Sequence, residues 1–381
     1  MGRTIFALVA LLAALVAAQG YLARGYDAAN PRHTGAVSLV DKDGITPESI
    51  TEVGLVIPGS DLELKYVLND GLWRLPMYRD AYARGDMIEG IIKDIVDARG
   101  VPVDRRGRSD SFFGIGGKSF VIKIYVGGDA PVAAVTCGAR LPGMWGRDSY
   151  ARVAGREDVY HINGNPAAKI GAPGGLPPLV DGRIIPAALG SLGDPAEVIF
   201  EPAGVMPISG IVRRERSAAA GGMGNMPPDM RDMKQYDWFA VAGGREIKLD
   251  ERSAGSYINF VRSINYSRIP RTEELAGGDG GPGEKRLLIV FEKRAPGGNG
   301  DSAGEKPERK TEYVEIRGYD GKGNRYVYFS GTGFTASVSS AKAALLFPDV
   351  DLLKNPQPSP SVFDRAESGE APQVQSEDIY Q

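Results

Sequence analysis

The sequence predicts an α+β protein of two tandem, related units, each an antiparallel sheet with one packed amphipathic helix, following an N-terminal hydrophobic segment. Three observations carry this. An aromatic strand end followed by a helix pattern occurs twice, as GLWRLPMYRDAYARGDMIEGIIKDIVDA around Trp73 and as DWFAVAGGREIKLDERSAGSYINFVRSI around Trp238, 165 residues later. The helix positions Ile88, Ile91, Ile92, Ile95 and Ala98 recur at a shift of 166 as Ala254, Tyr257, Ile258, Val261 and Ile264. Steps of 3, 1, 3 and 3 place all five on one helical stripe that a sheet or another helix must cover. Finally, period-two runs such as LELKYVL (62–68) and FVIKIYV (120–126) flank the first helix.

Taken in order, residues 25–52 read as a linker and a first strand, Ala36 to Val40. Asp41-Lys42-Asp43-Gly44 lacks the later ligand positions of a calcium loop and is expected to be a tight turn. The first unit spans 53–171. Val53–Ile57 and Leu62–Leu68 form a hairpin, Asn69-Asp70-Gly71 turns into Leu72–Leu75, and a helix opens near Asp80 or Asp86 and stops at Gly100 with Pro102. Strands follow at Phe120–Val126, Val132–Cys137, Tyr150–Val153 and Val159–Ile162. Residues 172–196 are Pro/Gly-rich yet carry Leu179, Ile184, Ile185, Leu189 and Leu192, as a packed connector would.

The second unit spans 197–347. It holds strands at Glu197–Phe200 and Ile208–Arg213, a long Met-, Gly- and Pro-rich run at 215–235, and a helix capped by Asp250 that ends before Pro270. Strands at Leu287–Phe291, Tyr313–Arg317, Arg325–Ser330 and Phe334–Val338 are interrupted by glycine-rich insertions at 276–283 and 296–306. A closing helix, Ser339 to Phe347, lies 176 residues after Asn163 to Gly171, a growing shift that insertions in the second copy would produce. Residues 348–381 are expected to form a disordered acidic tail.

Hydrophobic content of 42% supports real cores, and 45 Lys+Arg against 48 Asp+Glu gives no electrostatic reason to expect nucleic acid. The clusters Arg105-Arg106-Arg108 and Arg213-Arg214-Arg216 are expected in solvated loops. Residues 1–24 read as a membrane anchor or signal peptide. The uncharged run from Ile5 to Ala23, about 28 Å as a helix, matches a hydrocarbon core of about 30 Å. Retention places the chain on the periplasmic side of an inner membrane, anchored by residues 5–23; cleavage near Ala18 would instead secrete it. Cys137, alone in VAAVTCG, is expected to be a buried small hydrophobe and offers no disulfide or lipid-attachment signal.

Both units resemble the domain-of-unknown-function 4340 family. The resemblance rests on EVGL with LELKYVLNDGLWRL, the IxxIIxxIV helix, Phe112-Phe113-Gly114-Ile115, FVIKIYVGG, YARVAGREDVYHI, and PLVDGRIIP with AEVIF. It covers Val53 to Phe200 well and the second unit more loosely. The chain departs from the family at Arg84, where an Asp is usual, and in the 215–235 insertion. The resemblance implies an exported, membrane-anchored protein associated with ABC-type transporter systems of the gliding or auxiliary-export kind, and it carries over no catalytic residue.

Gly116-Gly117-Lys118-Ser119 imitates a phosphate loop, but Phe112 occupies its first glycine position and a strand follows. His33, His161 and Cys137 do not make a standard zinc set, and His161 reads as a half-buried strand residue. Ser339 and Lys342 have the Ser-x-x-Lys spacing without its companion motifs, so a helix cap is expected. No catalytic, cofactor-binding or metal-binding residue is named, and no cofactor is expected. Two features are candidates for contact. Met223, Met226, Met230 and Met233 could dock a partner, with copper(I) ligation as an alternative. Trp73 and Trp238 could form an aromatic platform between the units, or each could staple its strand to its own helix. The functional expectation is a non-enzymatic accessory or scaffold module whose partner is a membrane protein such as an ABC-type permease. The alternative is a periplasmic ligand-binding protein with a cleft between the units.

Overall fold

The computed structural model describes residues 36–41, 45–103, 107–141, 148–170, 176–202, 206–215, 236–277, 285–293, 307–355 and 362–363. The hydrophobic segment 5–23, the four candidate methionines, His33 and most of both glycine-rich insertions lie outside them. The chain divides into two compact units, Met1–Gly71 with Asp86–Gly171, and Leu72–Gly85 with Ala172–Gln381.

The protein is mostly β. Strands β1 (Val37–Ser38), β2 (Glu52–Val56), β3 (Glu63–Asn69), β4 (Leu72–Leu75) and β5 (Ala81–Tyr82) precede helix α1 (Gly85–Val96). Then come β6 (Arg99–Pro102), β7 (Phe120–Tyr125), β8 (Ala133–Arg140), β9 (Ser149–Val153) and β10 (Tyr160–Ile162). Strands β11 (Asp194–Glu201), β12 (Gly210–Glu215), β13 (Tyr236–Ala242) and β14 (Arg245–Lys248) lead to helices α2 (Glu251–Ser263) and α3 (Thr272–Gly277). Strands β15 (Lys285–Lys293), β16 (Glu308–Tyr319), β17 (Asn324–Phe329) and β18 (Phe334–Ser339) are followed by short helices α4 (Ser340–Ala344) and α5 (Val350–Lys354).

All strands pair antiparallel, in sheets of ten and eight strands. The orders are β1-β6-β10-β9-β8-β7-β2-β3-β4-β5 and β14-β13-β12-β11-β15-β16-β17-β18. Read from β5 to β10, the first order has the same connections as the second read from β14. The registers agree as well. Val53↔Ile124 and Leu55↔Ile122 join β2 to β7, as Val198↔Ile289 and Phe200↔Leu287 join β11 to β15. The irregularity between Cys137 and Arg140 against β9 stands where β16 has one between Ile316 and Tyr319 against β17.

Both helices form where the apolar spacing demands. On α1, Ile88, Ile91, Ile92 and Ile95 are buried, with Asp86 in the first turn and Lys93 in the last, as the helix dipole favours. Asp250 caps α2 by accepting the Ser253 N–H at 2.8 Å, and Ala254, Tyr257, Ile258 and Val261 are buried. Burying each large apolar side chain contributes roughly 1.5–3 kcal/mol, more than any difference in helix propensity.

Several expectations change. Gly100 and Pro102 do not stop α1, which ends earlier at Val96; they lie on β6, between β1 and β10. Gly100 is needed there, because a Cβ would stand 2.8 Å from Tyr160 Cβ. The tail from residue 348 is structured at its start. Helix α5 returns to α2, where Asp250 N–H reaches Leu353 O at 3.1 Å and Ser253 Oγ reaches Asn355 O at 2.9 Å. Phe363 is fully buried, with its ring centroid 5.4 Å from that of Tyr257 and 5.9 Å from that of Phe260. The second helix thus draws its cover from apolar residues beyond position 348. Arg213 and Arg214 are strand residues of β12 rather than loop residues, and Arg213 is paired and half-buried.

Ile92 is 2% exposed. Ile92→Asp would place a carboxylate in this interface at a cost of several kcal/mol, a large share of the roughly 5–15 kcal/mol that holds a domain folded. Circular dichroism melting is expected to show loss of the first unit; a melting temperature within a few degrees of wild type would contradict the packing.

Candidate functional site

The second sheet has one chemically distinctive end, and topology places it. Because β11 is antiparallel to both β12 and β15, the C-terminal ends of β12 and β15 lie together with the starts of β11, β13 and β16. Two long connections leave from here, residues 216–235 between β12 and β13, and 294–307 between β15 and β16. In the first sheet the β3–β4 connection is only Asp70-Gly71, both at positive φ (51° and 74°), as a tight hairpin turn requires.

The strand ends beneath these connections carry an arginine cluster. Arg213 Nη2 lies 2.9 Å from Glu292 Oε2, and Arg309 Nη2 lies 3.6 Å from Glu292 Oε1. The Arg213 guanidinium also stacks 4.3 Å from the Tyr236 ring centroid. One glutamate therefore bridges a half-buried arginine and an exposed one, and β12 and β13 are pinned where their long connection begins.

Beside this cluster a groove of about 340 Å³ opens between the connector and the last turn of α2. Ile185, Pro186, Leu189 and Phe291 give it an apolar floor, and Arg183, Asn259, Arg262 and Ser263 give it polar walls. Asp181 holds Arg183 by Nε (2.9 Å) and Nη2 (3.1 Å) and also accepts the Ala187 N–H at 2.8 Å, so that guanidinium is fixed. Arg262 Nη1 reaches Asp194 Oδ1 at 2.9 Å. At the rim, Gly193 has a φ of 86°, and a Cβ there would meet Glu292 O at 2.3 Å. Only glycine lets the connector enter β11 this closely.

The opposite end of the sheet holds a structural polar network. In the β16–β17 turn, Asp320 accepts the N–H groups of Lys322 (2.8 Å) and Asn324 (3.0 Å), the Asn324 side chain (2.9 Å) and the Ser337 hydroxyl (2.6 Å). Arg268 adds a contact at 3.3 Å. Burial alone would push the Asp320 carboxyl up, but the bonds from Ser337, Asn324 and the backbone outweigh it and hold it well below the usual carboxylate range.

Other sequence candidates find structural roles. Cys137 is buried, and burial pushes its thiol up to about 12, which suits a packing residue. His161 lies half-buried on β10 with Nε2 3.0 Å from Asp148. Ser339 caps α4, accepting the Lys342 N–H. Ser119 bonds Gly114 O (2.6 Å) and the Gly116 N–H (2.9 Å) just before β7, a turn rather than a phosphate cradle. Trp73 is 4% exposed on β4, whereas Trp238 is half-buried on β13 opposite Arg213. Their carbonyls play matching parts, accepting the N–H of Ala83 and of Leu249 at 2.9 Å each. Among the described residues no group of three or more His, Cys, Asp and Glu is placed to hold a metal ion. Arg183, Arg262, Arg213 and Arg309 were not singled out by sequence as a site. The strand expected at Ile208–Arg213 already ended on Arg213. No family model, curated protein or solved structure matches this chain.

The Asp320 carboxyl has a depressed folded-state pKa. It therefore adds stability above its unfolded value of about 3.9, and that contribution is lost as pH falls toward the folded value. Asp320→Asn is expected to lose on the order of 2 kcal/mol at pH 7 and to approach wild type only as pH falls well below the unfolded value of about 3.9 toward the folded one, read from urea melts at pH 7 and at about pH 2. An equal deficit at both would mean that the charge is not what the turn uses.

Proposed function

We propose that this chain is a non-enzymatic, extracytoplasmic accessory module that residues 5–23 hold at a membrane and that assists an ABC-type transport or envelope system by contact. The reading includes a finer view of the fold: one α+β unit used twice, with the second copy elaborated. Agreement of strand order and of register on both sides of the β2–β7 and β11–β15 pairs supports the duplication. The resemblance to the domain-of-unknown-function 4340 family, which rests on the motifs quoted above, supports the exported and transporter-associated setting.

One observation carries the contact role. The connections that are long only in the second copy, 216–235 and 294–307, leave the same end of one sheet. Additions that merely drift have no reason to share an end, whereas a binding face is built by enlarging adjacent loops on a rigid scaffold. The 216–235 segment brings Met223, Met226, Met230 and Met233, whose thioether side chains adapt to varied apolar surfaces. The Arg213–Glu292–Arg309 cluster anchors its base.

Among the described residues no helix is long and apolar enough to cross a membrane, so attachment in this reading belongs to residues 5–23 alone. Full-length protein is expected to stay in the membrane fraction through a carbonate wash, with the two units accessible from outside the cytoplasm. Crosslinking in native membranes followed by mass spectrometry should recover a permease-type subunit, and deletion of 216–235 should remove it without lowering the melting temperature. Release as a soluble chain lacking residues 1–18 would replace the anchor with a cleaved signal. An unchanged crosslinking pattern after the deletion would take the loop out of the account.

A further inference from the structure

We infer that the groove between the connector and the end of α2 binds a small monocarboxylate with an apolar body. The inference does not depend on the membrane anchor or on any protein partner. It rests on residues of the second unit alone.

The apolar part follows from the floor. Phe291 on β15 is buried, Ile185 and Pro186 are buried, and Leu189 is half-buried, so a flexible hydrocarbon or ring can lose water against them. The volume of about 340 Å³ falls at the small end of the range for ligand sites, roughly 300–1,000 Å³. The carboxylate follows from the two guanidiniums on the walls. Asp181 fixes Arg183 through Nε and Nη2, and the Ala187 N–H fixes Asp181 in turn, which leaves the Arg183 Nη1 edge oriented before any ligand arrives. Arg262 is held differently. Its partner Asp194 makes one bond, and both side chains are well exposed, at 42% and 52%. Such a pair is worth about 0–1 kcal/mol, so an incoming carboxylate can take the place of Asp194 at little cost. Asn259 and Ser263 supply further polar groups at the rim.

A helix C-terminus ordinarily repels an anion. Here part of that field is already answered. The Asn259 carbonyl accepts the Ser263 hydroxyl at 2.7 Å, the Ile264 carbonyl accepts the Ile184 N–H at 2.9 Å, and Arg262 sits on the last turn itself. The first helix shows that this is not required for packing. At the matching step, 166 residues earlier, α1 has Val96, which is buried, and Lys93 stands where α2 has Asn259. Where the second copy sets Arg262 on the groove wall, the first buries Val96.

Hexanoate is the probe, with hexan-1-ol and hexylamine as matched controls, in ligand-observed NMR titrations of the full chain in detergent, referenced to the detergent alone. Hexanoate is expected to bind with a Kd on the order of 1 mM and the two controls at least tenfold more weakly. Arg262→Gln should weaken hexanoate about tenfold. Gly190→Trp should abolish binding, since Gly190 lines the groove and has open space where its Cβ would stand. Arg317→Gln, on β16 outside the groove lining, should bind like wild type. Melting curves for each variant separate lost binding from lost folding. The wild-type comparison of hexanoate with hexylamine decides the question even if a variant fails to fold. Equal binding of hexan-1-ol or hexylamine, no hexanoate signal at tens of millimolar, or undiminished binding by folded Arg262→Gln would each overturn the assignment.

Discussion

Each unit depends on a central strand pairing made across a long stretch of chain. In the first, β2 meets β7 through Val53↔Ile124 and Leu55↔Ile122; in the second, β11 meets β15 through Val198↔Ile289 and Phe200↔Leu287. Every other pair within β2–β5, β7–β10, β11–β14 or β15–β18 joins strands adjacent in sequence, so those ribbons can form locally. These two pairings knit β2–β5 to β7–β10 and β11–β14 to β15–β18, with the helix in the intervening chain, while in the first unit β6 adds a second long-range link from β1 to β10. The eight residues just named are each 3% exposed or less, and the closure entropy of the connecting chain must be met before they contribute. Helix, sheet and groove all rest on that closure.

Charge is used inside this frame as cross-strand pinning. Glu315, nearly buried, accepts Nε of Arg286 on one oxygen and Nε of Arg317 on the other, each at 2.7 Å, and Tyr313 and Tyr328 lie beside those guanidiniums. In the first unit Glu63 accepts Lys123 at 2.5 Å and Tyr125 at 2.6 Å. Burying such groups is favourable only when their bonds are filled, and these arrangements fix register as much as they add stability. The groove differs. One of its arginines is locked by a buried aspartate, while the other is held loosely by an exposed one.

Much of the fold was legible because its signals were periodic. The stripe from Ile88 to Ala98 and its repeat from Ala254 to Ile264 read as helix faces, and all ten residues are buried. Long alternating strands were legible for the same reason. The short elements were not. Arg99-Gly100-Val101-Pro102 carries the residues of a helix stop, and only its neighbours β1 and β10 make it a strand. The stretch beyond 348 looked like tail because its few apolar residues, Val350, Leu353 and Phe363, are scattered and gain meaning only against α2. The site was less legible still. Arg183, Arg262 and Phe291 are far apart in sequence and share no motif; a groove joins them, and sequence carries no direct sign of a groove.

The same closure accounts for the place of the proposed contact face, since loops can grow at the ends of β12 and β15 without touching the pairing that holds the unit. Hydrogen exchange of the full-length chain, followed by mass spectrometry at neutral pH, tests this account most directly. The slowest amides are expected in 52–56 and 120–125 of the first unit and in 196–201 and 285–291 of the second, with the edge strands β1 and β14 exchanging orders of magnitude faster. If the slowest amides instead lay in the local ribbons, or if β2 and β11 exchanged as fast as those edges, neither unit would be held together in this way.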